Sequence, residues 1–123
     1  MSGDLNLTEL QLAVLRVLWD RGECTVAEVH AGLSEERSIA MTTVATLLKR
    51  LEKRGVVVHR TEGRQFVYRA SVAEDDARRS MVRELVDRLF GGDASELVTH
   101  LLRAREVRPG DLAKIERMLR ERE

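Results

Sequence analysis

Residues 38–70, SIAMTTVATLLKRLEKRGVVVHRTEGRQFVYRA, hold the side chains of this sequence that are best suited to binding a polyanion. Residues 40–70 contain seven Lys or Arg against two Asp or Glu, a local net charge of +5 on a chain with net charge +0. Clustered positive charge on a neutral chain is typical of a surface that attracts nucleic acid. A solvated charged face is the alternative interpretation of this run taken alone.

Residues 39–54 separate into two faces if they form a helix. At about 100° per residue one arc is apolar, with Val44, Leu47, Leu48 and Leu51. The other side carries hydroxyl and then basic side chains: Thr42, Thr46, Lys49, Arg50 and Lys53, with Thr43 and Arg54 at its edge. Threonine is a mediocre helix former, so exposed threonines need another reason. Local hydrogen bonding of Thr42 and Thr43 near the helix N-terminus is one reason, and contact with a ligand is the other. Hydroxyl groups suit base edges and basic groups suit phosphates, which favours DNA.

Helix-start signals define the elements that position this face. Capping-box pairs are Thr8 with Gln11, Thr25 with Glu28, Ser71 with Glu74 and, in a looser form, Asp93 with Glu96. Ser38 is a candidate cap for the third helix, and Pro109 suits the first turn of the last. The predicted helices are 8–20, 25–33, 39–54, 72–90, 94–104 and 109–121. Glycines are predicted to end or separate helices at Gly22, Gly32, Gly55 and Gly91-Gly92.

A β-hairpin is predicted between the third and fourth helices. The segment VVVHRT-EG-RQFVYR alternates β-branched and aromatic residues around a Glu-Gly turn. Three helices followed by a hairpin predict a winged helix-turn-helix domain at 1–70, in a mainly α fold with a small β-hairpin wing. In such a domain the third helix enters the major groove and the hairpin arginines, including Arg60 and Arg64, lie near the backbone.

Residues 71–123 are predicted to form a helical dimerisation region. Apolar stripes run along its three helices: Met81, Val82, Leu85, Val86, Leu89 and Phe90; Leu97, Val98, Leu101 and Leu102; Leu112, Ile115, Met118 and Leu119. Three short helices of this composition are too small to bury a sufficient core alone. We therefore expect a homodimer, whose two-fold symmetry matches an inverted-repeat operator in double-stranded DNA. Folding of these helices back onto residues 1–70 is the alternative.

Other function classes find little support in the sequence. His30, His59 and His100 lack metal-ligand spacing, Cys24 has no second thiol, and no phosphate-binding glycine loop or nucleophile motif occurs. The sequence therefore predicts no enzyme, no metal and no cofactor. No apolar run is long enough to span a membrane, and the N-terminus lacks a secretion signal, so we expect a cytoplasmic protein. A winged-helix module that binds protein and never DNA is the alternative function.

Several motifs resemble the penicillinase and methicillin-resistance repressor family, of BlaI/MecI type. They are LTELQLAVLRVLWDRGECTVAEVHAGL, MTTVATLLKRLEKRGVV, the YR dipeptide and LFGGDASELVTHLL, which together span most of the chain. The resemblance implies a homodimeric winged-helix repressor of an inverted repeat with TACA/TGTA half-sites. It also implies DNA contacts from Thr42, Thr43, Thr46, Arg50 and the hairpin arginines.

The resemblance further implies a route of inactivation. In relatives that respond to β-lactams, a membrane sensor leads to cutting of the repressor at an Asn-Phe bond in the fifth helix. Counted from the shared Phe-Gly-Gly, that bond corresponds to His100-Leu101, where neither residue matches. Cleavage by a sensor-linked protease through loss of the dimer, and control by a different signal, both remain open from the sequence.

Overall fold

The computed structural model describes residues 5–34 and 37–122, which form mainly helices together with a small antiparallel sheet. The elements in chain order are α1 Glu9–Arg21, β1 Cys24–Thr25, α2 Val26–Ser34, α3 Met41–Lys53, β2 Val57–Glu62, β3 Gln65–Ala70, α4 Glu74–Phe90, α5 Ala94–Arg103 and α6 Pro109–Arg122. The expected mainly α fold with a hairpin wing is confirmed. The chain forms two compact units, hereafter unit 1 (residues 1–81) and unit 2 (residues 82–123), whose boundary falls within α4.

Side-chain caps begin several helices as the sequence predicted. Thr8 Oγ1 accepts from the Gln11 N–H and Gln11 Oε1 accepts from the Thr8 N–H, both at 3.1 Å. Thr25 and Glu28 form the same reciprocal pair at 2.8 and 3.2 Å. Asp93 caps α5 by accepting from the Ser95 N–H at 3.0 Å. These hydrogen bonds satisfy N–H groups that a helix start leaves without an intrahelical partner.

Two predicted caps were wrong. The helix α3 begins at Met41 after Ala40, which has no side-chain cap, so Ser38 lies outside it. The helix α4 begins at Glu74, and Ser71 instead donates its hydroxyl to the Gly55 carbonyl at 2.6 Å. A cap motif describes only a local preference, and the Ser71 hydroxyl instead bonds to a residue that is distant in the sequence.

The prediction that glycines end helices was confirmed at some positions and wrong at another. Gly22 and Gly55 end α1 and α3 with φ of 84° and 82°, a backbone region that favours glycine. Gly32 lies inside α2, where an added Cβ would approach Val17 Cγ1 to 2.9 Å. Its small size therefore allows close packing of α2 on α1 and does not end the helix.

The sheet has the strand order β1-β3-β2 with antiparallel pairing throughout. Glu62 pairs with Gln65, so the hairpin loop is Gly63-Arg64, one residue beyond the predicted Glu-Gly turn. Gly63 has φ of 62°, as the first loop position of a type II′ turn requires. The strand β1 was not predicted, because two residues are too short to show an alternating pattern.

The core of unit 1 lies among α1, α2, α3 and the sheet, and it fixes the orientation of α3. The four apolar residues predicted to face inward, Val44, Leu47, Leu48 and Leu51, are all buried. Trp19 packs at the edge of this core and donates from Nε1 to the Val72 carbonyl at 2.9 Å. With one face of α3 held in the core, its opposite face must lie at the surface.

Unit 2 contains the C-terminal part of α4 together with α5 and α6. Among its described residues, Val86 is the one buried hydrophobic side chain, with 8% exposure. Large apolar side chains that stay exposed are Val82, Leu85, Leu89, Val98, Leu102, Leu112, Ile115, Met118 and Leu119. No helix in the described part of the chain has the length and hydropathy needed to cross a bilayer.

Candidate nucleic-acid interface

The outer face of α3 presents the residues that the sequence predicted for it, with one exception at its edge. Arg54 caps the C-terminus of the helix, and its Nη1 donates to Gln11 Oε1 at 3.4 Å. We define the α3 surface as the residues that lie opposite the buried arc of this helix and are exposed: Thr42, Thr43, Thr46, Lys49, Arg50 and Lys53. Hydroxyl groups occupy its first half and cations its second. A helix with this arrangement can present short side chains to base edges while longer cations reach flanking phosphates.

The three threonines of the α3 surface are not equivalent. Thr46 Oγ1 donates to the Thr42 carbonyl at 3.0 Å, so its hydroxyl proton is already used within the helix. Thr46 can still accept a hydrogen bond and present its methyl group. A local hydrogen bond therefore forms at Thr46, whereas the sequence offered this alternative for Thr42 and Thr43, which stand exposed on the first turn.

The cations of this region differ in whether a carboxylate neutralises them. In the described parts of the chain, no ion pair holds Lys49, Arg50, Lys53 or Arg64, and all four are exposed. Arg64 follows Gly63 in the hairpin loop, at the tip of the wing. These four cations are therefore available to phosphates.

Arg60, also predicted to contact DNA, is engaged by two carboxylates. Its Nε and Nη2 donate to Glu23 at 2.9 and 3.1 Å, and its Nη1 lies 2.7 Å from Glu62 Oε2. The hydrogen bond from Arg60 lowers the pKa of Glu23, and the pKa of Arg60 rises above its ordinary value for the same reason. This guanidinium ties β2 to the segment before β1, and its charge is compensated within the protein.

A cluster of rings, which the sequence did not predict, connects the wing to α3. His59 Nδ1 on β2 lies 2.6 Å from Glu52 Oε2 on α3. Phe66 on β3 stacks on the His59 ring with a centroid separation of 4.0 Å and an interplanar angle of 21°. Tyr68 packs against His59 at 5.4 Å, and burial raises the pKa of its phenol. The contacts fix the wing relative to the α3 surface.

An open cleft of about 410 Å³ lies between the wing and the first turn of α3, and we call it the wing cleft. Three segments line it: Thr25–Ala27 at the start of α2, Met41 at the start of α3, and Arg64–Phe66 of the wing. Met41 and Phe66 are each 45% exposed. Neither residue was predicted to line a site, because an apolar residue within a strand or helix pattern is usually assigned to the core.

The described residues include the three histidines and the cysteine that the sequence analysis considered as metal ligands. No group of three or more His, Cys, Asp or Glu side chains there is placed to hold a metal ion. His30 is bonded to the Ile39 carbonyl at 2.7 Å, and His100 lies in α5 with its ring 6.0 Å from that of Phe90. Cys24 is buried, and that burial raises the pKa of its thiol.

Comparisons with known proteins assign the chain to a family. The profile of the penicillinase repressor family matches residues 7–121. The chain belongs to this family. The penicillinase repressor of Bacillus licheniformis is 26% identical over 115 residues, covering 94% of this chain and 90% of that protein.

Two further relatives support this family assignment. The transcriptional regulator BlaI of Mycobacterium tuberculosis is 43% identical over 63 residues, which are 50% of this chain and 46% of that protein. The solution structure of the monomeric form of Bacillus licheniformis BlaI, solved in complex with the blaP half-operator, has a TM-score of 0.53 and 33% identity. It covers 62% of this chain and 93% of that one.

Membership confirms the resemblance drawn from the sequence motifs. The penicillinase repressor family consists of DNA-binding transcriptional repressors and not of enzymes, and winged-helix domains of its members are the structural relatives of this fold. The matched residues span both compact units, so the likeness extends beyond the winged helix.

Proposed function

We propose that this repressor binds an inverted-repeat operator in double-stranded DNA as a homodimer, with α3 in the major groove. The observation that carries the proposal is the α3 surface, where hydroxyl and unpaired basic side chains stand opposite a fully packed apolar arc. Thr42 and Thr43 face base edges, and Thr46 contributes an acceptor and a methyl group.

The cations hold the DNA backbone in this proposal. Lys49, Arg50 and Lys53 extend from the C-terminal half of α3, and Arg64 reaches the backbone from the wing tip. Phosphate contacts fix the position of a protein on the duplex and supply most of its sequence-independent affinity. Arg60 acts differently from the sequence-based expectation, because Glu23 and Glu62 compensate its charge and it braces the wing.

Dimerisation is proposed through unit 2. Of the residues assigned to the interface, Leu85, Leu89, Leu102, Ile115 and Leu119 are exposed by 41–69% in the single chain. Phe90, Leu97 and Leu101 are half-buried, as is Met81, the last residue of unit 1. So many exposed large apolar side chains on three helices indicate a surface that a partner covers, and a second copy supplies an equal surface. Two α3 helices related by a two-fold axis then match the two half-sites of an inverted repeat.

Inactivation by a sensor-linked protease is proposed to act on this dimer. The His100-Leu101 bond lies within α5, with His100 exposed and Leu101 half-buried. Cleavage inside a helix requires local opening, and a cut here would separate α6 from α4. We expect mass spectrometry of the protein from β-lactam-treated cells to find fragments ending near residue 100. An intact chain released from DNA in treated cells would contradict this mechanism.

A salt titration tests the DNA-binding proposal. The full chain is mixed with a duplex carrying its own promoter and, separately, with a scrambled duplex, over a range of salt concentrations. Log affinity should fall with log salt with a slope of about −0.9 per phosphate contacted, and the promoter should bind more tightly. No binding to either duplex at low salt would contradict the proposal and favour a protein interaction module.

A further inference from the structure

The wing cleft has a composition that phosphate binding alone does not explain. Met41 and Phe66 are the two large hydrophobic side chains exposed among the described residues of unit 1, and both line this cleft. Arg64, which has no ion pair among the described residues, lines the same cleft. A cation beside two exposed apolar groups suits a ligand that carries negative charge next to an apolar body.

The position of the cleft indicates which ligand has that chemistry. It opens between the first turn of α3 and the wing tip. If α3 occupies the major groove and the wing reaches the neighbouring backbone, one DNA strand has to pass between these two elements. That strand presents a phosphate and a deoxyribose, whose ring carbons are apolar.

The geometry points to a specific role for this cleft: it receives a sugar–phosphate segment of one DNA strand. Phe66 and Met41 pack against the deoxyribose, and Arg64 pairs with the adjacent phosphate. The assignment rests on the DNA-binding function proposed above, and it adds an apolar backbone contact that a count of cations would miss.

The ring cluster prepares Phe66 for this contact before DNA arrives. Phe66 is stacked on His59 at 4.0 Å, and His59 is bonded to Glu52 of α3 at 2.6 Å. The cleft wall formed by the wing is thereby attached to the helix that enters the major groove. A contact surface held in place in the free protein loses less conformational entropy on binding.

Truncation of the two apolar residues in the full chain tests the proposal. Phe66→Ala and Met41→Ala should each weaken binding to promoter and scrambled duplex alike, by roughly fivefold, as expected for loss of about 40 Å² of apolar contact. The salt slope should stay unchanged, because no charge is removed. Thr61→Ala is the matched control, since Thr61 pairs with Phe66 across the wing but does not line the cleft.

Phe66→Leu distinguishes loss of the apolar contact from a general disturbance of the wing, since it keeps an apolar side chain in the cleft. We expect it to bind more tightly than Phe66→Ala. Single phosphates of the duplex are then replaced by neutral methylphosphonates. At one position per half-site the replacement should lower the affinity of the wild type but cause no further loss of affinity in Arg64→Ala.

The outcomes separate the two proposals. Wild-type affinity in both Phe66→Ala and Met41→Ala, with normal salt-dependent binding, would overturn the role of the wing cleft and leave the DNA-binding function standing. Absence of salt-dependent binding by the wild type would overturn both.

Discussion

The two units of this repressor differ in how far they bury their apolar side chains. Unit 1 buries the apolar side of α3 completely, with Val44, Leu48 and Leu51 at 0% exposure. Unit 2 leaves Leu89, Met118 and Leu119 more than half exposed. Unit 1 therefore has a packed core of its own, whereas unit 2 leaves an exposed apolar surface, which we propose that a second copy covers.

The surfaces of the two units differ in the corresponding way. The exposed face of α3 is polar and basic, which suits a solvated ligand such as DNA. The exposed faces of α5 and α6 carry Val98, Leu102 and Ile115, which suit another apolar surface. This difference supports the proposal that unit 1 contacts DNA and unit 2 forms the dimer, and each of the following variants tests one side of it.

The largest effect is expected from Leu85→Asp. Leu85 is 42% exposed in the single chain, so the aspartate is solvated in a monomer but desolvated in the proposed interface. The dimer dissociation constant, measured by sedimentation, should rise by roughly a hundredfold or more, about 3 kcal/mol, and operator affinity should fall with it. Leu101→Asp should act in the same direction.

Ala113→Asp provides the matched control. It adds the same charge on α6 at an exposed position that points away from the apolar stripe of that helix, so the dimer should persist.

The Cys24 thiol in unit 1 is buried, and its raised pKa keeps it protonated near neutral pH. Slow alkylation of Cys24 in Leu85→Asp, as in the wild type, would show that unit 1 stays folded. A Leu85→Asp variant that remains dimeric with full affinity would mean that the interface is misplaced.

Smaller effects on DNA affinity are expected at two threonines of the α3 surface, and these effects should differ. Thr43→Ala should weaken binding to the operator by about 1 kcal/mol or more and spare scrambled DNA, because it removes a hydroxyl available to base edges. Thr46→Val should cost less, since it removes a hydroxyl that already donates to Thr42 and keeps a methyl group. Competition binding with both duplexes measures the difference, and equal losses on operator and scrambled DNA for Thr43→Ala would argue against α3 as the specific element.

The smallest effect compares two wing arginines. Arg64→Ala should reduce the salt slope by about one, because Arg64 is free to contact a phosphate. Arg60→Ala should leave the slope nearly unchanged, since Glu23 and Glu62 compensate its charge in the free protein. Salt titrations of both variants on scrambled duplex give the comparison. A larger change for Arg60→Ala would mean that Arg60 leaves its carboxylates for DNA.

Local sequence signals predicted some features of this protein well and others poorly. The caps at Thr8 and Thr25 were correct because their partners lie three residues away on the same helix. Ser71 carried the same motif, yet its hydroxyl bonds to Gly55, 16 residues away in the sequence. Gly32 was misassigned because only the approach of Val17 from α1 explains its small size.

The sequence by itself determined the helix pattern, the hairpin and the two faces of α3. Each of these depends on periodicity or on neighbours within one or two turns, which a sequence shows directly. Tertiary structure decided which charged and polar groups of the α3 surface and the wing remain available to a ligand. Arg60 is compensated by Glu23, 37 residues away, and Phe66 is placed in the wing cleft by His59 and Glu52. Such pairings depend on how the strands and helices pack in space, and no periodicity along the chain specifies them.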